Sequence, residues 1–309
     1  MLFASLALMG LFSVPPSLFA ASEDLDAAYK NLKDAEAKKD PALVRKWAQE
    51  TSKEARKILQ TPEPTAADEK ESWKNRLDYA RQVDTYTEYS MFATALQTAD
   101  PAAIIDLTQA LEQQNPKSEY LVKLGSTYLM AVAKSTPDKI VPAAEKVALL
   151  DPNNEDALLI LADGYLSAKQ TSKALEASEK LIAVLSNKPA PEGLTEQAWT
   201  KKKTASLTRA HWIAGVVQGE ANQYAEADRH LRAALPTLDD KQMQAAALFY
   251  LGVANYKMGL AEKDRARLAE AARFSEQCAA LPGPYQAPAQ RNARAIRAEI
   301  GPTKAVRKK

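Results

Sequence analysis

Apolar residues recur at spacings of three and four almost from end to end of this chain, without sustained period-two alternation of Val, Ile, Thr and aromatics. That periodicity predicts α-helices throughout and no sheet. Punctuation agrees: Asp40-Pro41-Ala42 and Asp100-Pro101-Ala102 each offer an aspartate as N-cap and a proline at the first helical position, where its missing N–H costs nothing. Asp151-Pro152 closes another helix, and Asn153-Asn154-Glu155-Asp156 supplies caps and first-turn acids for the next. Residues 24–38 and 41–59 read as a helical pair. Thr65 with Asp68 resembles a capping box opening a run to about Thr98, one helix of roughly 50 Å if unbroken. A second long helix is expected over about 195–222, after the turn made by Pro189, Pro191 and Gly193.

Between Leu158 and Ala234 one sparse pattern is spelled twice. Ala162 is followed by Tyr165 and Ala174, and Gly215 by Tyr224, Ala227, Leu231 and Ala234. Gly125 and Gly252 fill the same small slot in neighbouring segments, although glycine inside a helix costs about 1 kcal/mol against alanine. Close approach of two helices explains that choice. Leu121, Leu124, Gly125 and Tyr128 with Ala144, Val147 and Pro152 predict a further hairpin, its loop over 134–139 holding about three extra residues. Leu248, Leu251, Gly252 and Gly259 with Ala271, Ser275 and Cys278 predict the last, its loop lengthened by about seven.

A period of about 34 residues with these slots resembles the tetratricopeptide repeat, over residues 84–281. The tryptophan slot of that pattern holds Leu158, His211 and Leu248 here. The resemblance implies an all-α fold: antiparallel helix hairpins stacked as a solenoid, a right-handed α–α superhelix whose first helices line a concave groove for peptides or extended protein segments. Carried across by spacing, the groove-facing slots are Asp156, Leu159, Asp163, Leu166 and Ser167, then Arg209, Trp212, Val216 and Glu220, then Phe249, Val253, Tyr256 and Lys257. Arg209, Trp212, Val216, Phe249, Val253, Tyr256 and Lys257 are the candidate partner-binding residues. Trp212, Phe249 and Tyr256 either offer an apolar strip to a partner or plug the gap between adjacent first helices.

Residues 2–22 carry no charge, and Ala20, Ala21 and Ser22 precede the acidic Glu23-Asp24. This reads as a signal peptide cleaved near Ala20 to Ser22, lacking the usual basic start, and implies a periplasmic or secreted protein. A membrane span needs about 20 apolar residues, and Pro15-Pro16 interrupt this run. At 309 residues the chain exceeds what one compact core usually supports, and a formal charge of +2 calls for no specific nucleic-acid partner. The expected organisation is a leader over 1–22, an irregular helical region over 23–83, repeats over 84–283, and a basic capping helix and tail over 284–309. Arg291, Arg294, Arg297, Lys304, Arg307, Lys308 and Lys309 suit either a weak, salt-sensitive contact with a membrane surface or other polyanion, or a solubilising end cap.

Catalytic chemistry finds little support. His211 and His230 are too far apart for a metal pair at i, i+4, no HExxH or CxxC occurs, and glycines never cluster into a phosphate loop. Cys278, the single cysteine, falls in a core slot. Glu155-Asp156 and Asp239-Asp240 stand where caps and turns want acids, and Lys201-Lys202-Lys203 reads as a solvated face. The expectation is a non-enzymatic scaffold of the cell envelope that needs no cofactor or metal and binds an unidentified protein or peptide. A structural subunit of an envelope assembly, or an envelope hydrolase on a helical scaffold, is the alternative.

Overall fold

The computed structural model describes residues 16–191 and 193–301, with side chains from Glu23 onward. The expected leader up to residue 15 and the basic tail of Lys304, Arg307, Lys308 and Lys309 lie outside the described residues. The cleavage positions Ala20 to Ser22 fall inside the first helix, Pro16–Ala37. Among the described residues there are thirteen α-helices and no strand, and no helix is long and apolar enough to cross a membrane.

The chain divides into two compact units, one ending at Lys139 and the other starting at Ile140. The first holds α1 (Pro16–Ala37), α2 (Pro41–Leu59), α3 (Glu69–Gln97), α4 (Pro101–Gln114) and α5 (Glu119–Ser135). On α2 the buried positions Val44, Ala48, Thr51, Ala55 and Ile58 repeat at three and four, giving one face that packs on α1 and α3. Leu32, Met91, Leu107, Leu111 and Leu124 close the main core, and each such leucine buried is worth about 1.5–3 kcal/mol. Asp40 and Asp100 cap α2 and α4 as expected, accepting from the Leu43 and Ala102 amides at 3.0 Å. The capping box at Thr65 does not form: Asp68 precedes α3 with helical dihedrals and makes no side-chain cap bond. First-turn Glu69 and Glu71 place negative charge at that helix start instead.

The second unit holds α6 (Ile140–Leu150), α7 (Glu155–Ser167), α8 (Thr171–Asn187), α9 (Glu196–Glu220), α10 (Tyr224–Ala234), α11 (Lys241–Glu262), α12 (Arg265–Ala279) and α13 (Gln286–Ile300). The hairpin expected from Leu121 to Val147 is divided between the units. Its first helix, α5, packs on α3 and α4; its second, α6, packs on α7, where Gly164 leaves space that Val141 fills. The long α9 packs along its neighbours. Its early Trp199 is 3 % exposed among Leu158, Leu181, Leu185 and Ala210. Lys202 is not on a solvated face, because it pairs with Glu155 at 3.2 Å and with Asp156 at 2.8 Å.

Four helix ends share one corner. Lys39, Lys169, Asn222 and Lys263 all adopt left-handed backbone, with φ of 52°, 58°, 61° and 56°. In each, the left-handed residue donates its amide three residues back and the next residue donates five back, as in Asn222 to Gly219 at 3.2 Å and Gln223 to Gln218 at 2.8 Å. This is the Schellman pattern, and it closes α1, α7, α9 and α11 against α2, α8, α10 and α12. Residues seven before and five after the corner are Leu32 and Val44, Ala162 and Ala174, and Gly215 and Ala227, all buried.

The last hairpin corrects an expectation. Its seven additional residues do not form a loop, since Lys263 makes the same tight corner. Gly252 stands eleven positions before that corner and Ala271 eight after it, so α11 and α12 each gain about one turn of 3.6 residues. Lengthening two antiparallel helices equally preserves their facing residues. Gly252 therefore still meets Ser275, whose Oγ would lie 2.7 Å from an added β-carbon.

Candidate functional site

The first unit carries a cleft of about 690 Å³ between α1 and α3, lined by Lys33, Glu36, Lys39, Tyr86, Tyr89 and Thr94 among others. Its floor is a fixed network. The Glu36 carboxylate accepts from Lys33 Nζ at 2.6 Å, from the Tyr86 hydroxyl at 2.9 Å and from Ser90 Oγ at 2.6 Å. Lys33 also donates to the Tyr86 hydroxyl at 2.5 Å. Burial disfavours the Lys33 ammonium, but the Glu36 and Tyr86 hydrogen bonds outweigh it and hold the lysine protonated well beyond its ordinary range. Lys39, itself the left-handed residue of the α1/α2 corner, stands at the cleft edge with no ion-pair partner among the described residues.

Aromatic rings continue from that floor. Tyr29 meets Tyr86 edge-on at 5.6 Å, Tyr86 lies 5.9 Å from Tyr89, and Tyr89 lies 6.1 Å from Tyr120, which stacks on Phe92 at 4.9 Å. These rings come from α1, α3 and α5. Tyr89 is 45 % exposed. A ring held this open on a rigid helix can cover an apolar or aromatic group of a partner while its hydroxyl stays wet. Sequence reading missed this row, although Tyr86, Tyr89 and Phe92 recur every three residues along one helix face.

The seven residues expected to bind a partner lie in the second unit, spread over three packing sites. Arg209 pairs with Asp163 at 2.5 Å, lies over the Trp212 ring at 4.7 Å and reaches Met243 Sδ at 3.1 Å. Trp212 donates its indole N–H to the Met243 carbonyl at 2.9 Å and, with the buried Val216, packs against the core of α10 and α11. Phe249 meets Tyr285 at 4.9 Å and Tyr250 at 5.4 Å. Tyr256 packs on Ala271, Ala272 and Ile296 and donates to Glu299 at 2.9 Å. Val253 is half-buried and Lys257 exposed. The three aromatic rings thus spend their faces on neighbouring helices.

Cys278 is fully buried, its Sγ 3.2 Å from the Ala245 carbonyl, and burial pushes its thiol up to about 11. His211 and His230, distant in sequence, are brought together by the α9/α10 hairpin, with Nδ1 atoms 2.9 Å apart. Arg229 places a guanidinium nitrogen 2.8 Å from His230 Nε2. Among the described residues no three His, Cys, Asp or Glu side chains gather as a metal site. No model of a protein family matches this chain, and a search of curated proteins finds no relative. The functional reading rests on the residues themselves.

Proposed function

We infer that this protein is a non-enzymatic scaffold that binds an extended segment of a partner protein on its first helices. The observation that carries this reading is the cleft between α1 and α3, where Tyr89 stays open beside the Lys33–Glu36–Tyr86 network and the uncommitted Lys39. Rigid helices, one exposed ring and a free cation are what an extended peptide with an apolar side chain and a nearby carboxylate needs.

The reading includes hairpins of the tetratricopeptide kind, stacked within each unit with that family's right-handed superhelical turn. It draws support from the shared corner at Lys39, Lys169, Asn222 and Lys263 and from the small residues seven before and five after it at Lys169 and Asn222. Export to the periplasm or cell exterior follows from the uncharged apolar start and belongs to the same proposal. In the second unit Arg209, which remains about one-third exposed, is a secondary contact point.

Selection of a random peptide library on the full chain tests this. Recovered peptides should carry an apolar residue near an acidic one and should bind Tyr89→Ala at least about tenfold more weakly. An empty selection, or equal affinity for a folded Tyr89→Ala protein, overturns the reading.

A further inference from the structure

Arg229, His230 and His211 form a chain of hydrogen bonds with one allowed direction. A guanidinium only donates, so His230 Nε2 must accept from Arg229 at 2.8 Å. Neutral His230 then carries its proton on Nδ1 and donates it to His211 Nδ1 at 2.9 Å. Neutral His211 in turn carries its proton on Nε2. Each nitrogen at the contact has a single role. The same assignment argues against a metal between the rings, because the His230 nitrogen facing His211 is occupied by a proton.

Adding one more proton breaks this arrangement wherever it lands. On His211 Nδ1 it sets two donors against each other at 2.9 Å across the seam; on His230 Nε2 it keeps the bond to His211 but sets a donor against Arg229 and leaves an imidazolium charge on a ring that is 2 % exposed. At His230 itself no water can enter to relieve the conflict, although His211 is only half-buried. His230 is 2 % exposed, its neighbour Leu231 is fully buried, and a β-carbon on Gly215, one turn beyond His211, would lie 2.5 Å from Leu231 Cγ. Acids that could neutralise an imidazolium are engaged: Glu226 with Arg229 at 2.6 Å, and Asp228 with Arg232 at 2.9 Å. From α8, Glu179 reaches α9 at Gln218; from α11, neutral Asn255 reaches Asp228 and Arg232.

We propose that the His211–His230 pair is an acid-operated latch: neutral, it ties α9 to α10, and protonated, it forces that hairpin seam apart. Burial, then the Arg229 charge, hold both rings below the ordinary histidine value, His230 at about 4, so the latch is shut at neutral pH. Opening releases the tight Gly215–Leu231 contact and loosens α9, the helix that presents Arg209 and Trp212. This regulation is independent of which partner the protein binds.

Amide hydrogen exchange read by mass spectrometry, corrected for its intrinsic pH dependence, tests the latch on the full chain. Between about pH 7 and about pH 4.5, peptides from α9 and α10 should lose at least about tenfold more protection than peptides from α1 to α3. His230→Gln retains an acceptor toward Arg229 and a donor toward His211 without titrating, so it should abolish that excess. An excess that persists in the variant, or protection falling equally in all helices, overturns the proposal. Should the variant not fold, the wild type decides by NMR, because the chain has only two histidines. Both rings should titrate below the ordinary value as α9 and α10 amide signals shift, and a His230 ring titrating at or above it overturns the latch.

Discussion

Gly215 of α9 faces Leu231 of α10 so closely that a β-carbon on the glycine would stand 2.5 Å from Leu231 Cγ and 2.7 Å from Cδ2. Leu231 is fully buried and has nowhere to withdraw. Gly215→Ala should therefore destabilise the protein by about 1–3 kcal/mol, although alanine is the better helix former. Urea unfolding followed by circular dichroism measures this. A neutral or stabilising result would show that the seam can widen at no cost.

The shared corner makes the opposite prediction. Lys169 holds φ at 58° between α7 and α8, a conformation that costs a residue with a β-carbon and favours glycine. Its amide bonds survive replacement, since the Lys169 N–H to Leu166 carbonyl contact at 2.9 Å is backbone. Lys169→Gly should stabilise by about 0.5–1 kcal/mol, seen as a higher melting temperature. Destabilisation would mean that the lysine side chain contributes more than its backbone costs.

Much of this architecture was legible because it depends on spacing. Asp40, Asp100 and Asn154 act as the caps their neighbours imply, and Gly215 and Gly252 are the points of close approach. The lengthened last hairpin was legible only as an insertion. Seven residues look like a loop in one dimension, yet they become one turn on each helix because about two turns fit that number. The α1/α2 pair was legible as two helices but not as a copy of the repeat, because Leu32 and Val44 stand where small residues mark the other hairpins. His211 and His230 were set apart by sequence distance, a criterion suited to one helix and blind to a hairpin. The ring row through Tyr29, Tyr86, Tyr89 and Tyr120 spans three helices, so no single segment announces it.

Acid should destabilise the second unit in two separable steps. His230 has its pKa lowered from 6.5 to about 4, so between those values the unfolded chain binds a proton that the folded chain refuses. Stability is fully present above 6.5 and declines as pH falls toward 4, by on the order of 3 kcal/mol. Glu155 follows at lower pH. Burial opposes its carboxylate, but the Lys188 hydrogen bond and the Lys202 charge outweigh that and keep its pKa below the ordinary value. Its contribution is present above the ordinary carboxylate value and is lost as pH falls through the lowered one. Urea midpoints across this range should show the first step vanish in His230→Gln and the second in Glu155→Gln.

Tyr89 and Trp212 should separate binding from folding. Tyr89 is 45 % exposed and its ring contacts run along a surface row, so Tyr89→Ala should leave stability within about 1 kcal/mol of the parent. If the cleft is the docking point, that change should cost at least about 2 kcal/mol of partner affinity. Trp212 has its indole hydrogen-bonded to the Met243 carbonyl and its ring packed against Arg209 and the α10/α11 core. Trp212→Ala should instead cost about 3–5 kcal/mol of stability, with affinity lost only as the fold is lost. Equilibrium unfolding and peptide titration on both variants give four numbers. The reverse pattern, a stable Trp212→Ala protein that no longer binds beside a Tyr89→Ala protein that binds normally, would move the docking surface to the second unit and leave the α1/α3 cleft without a partner.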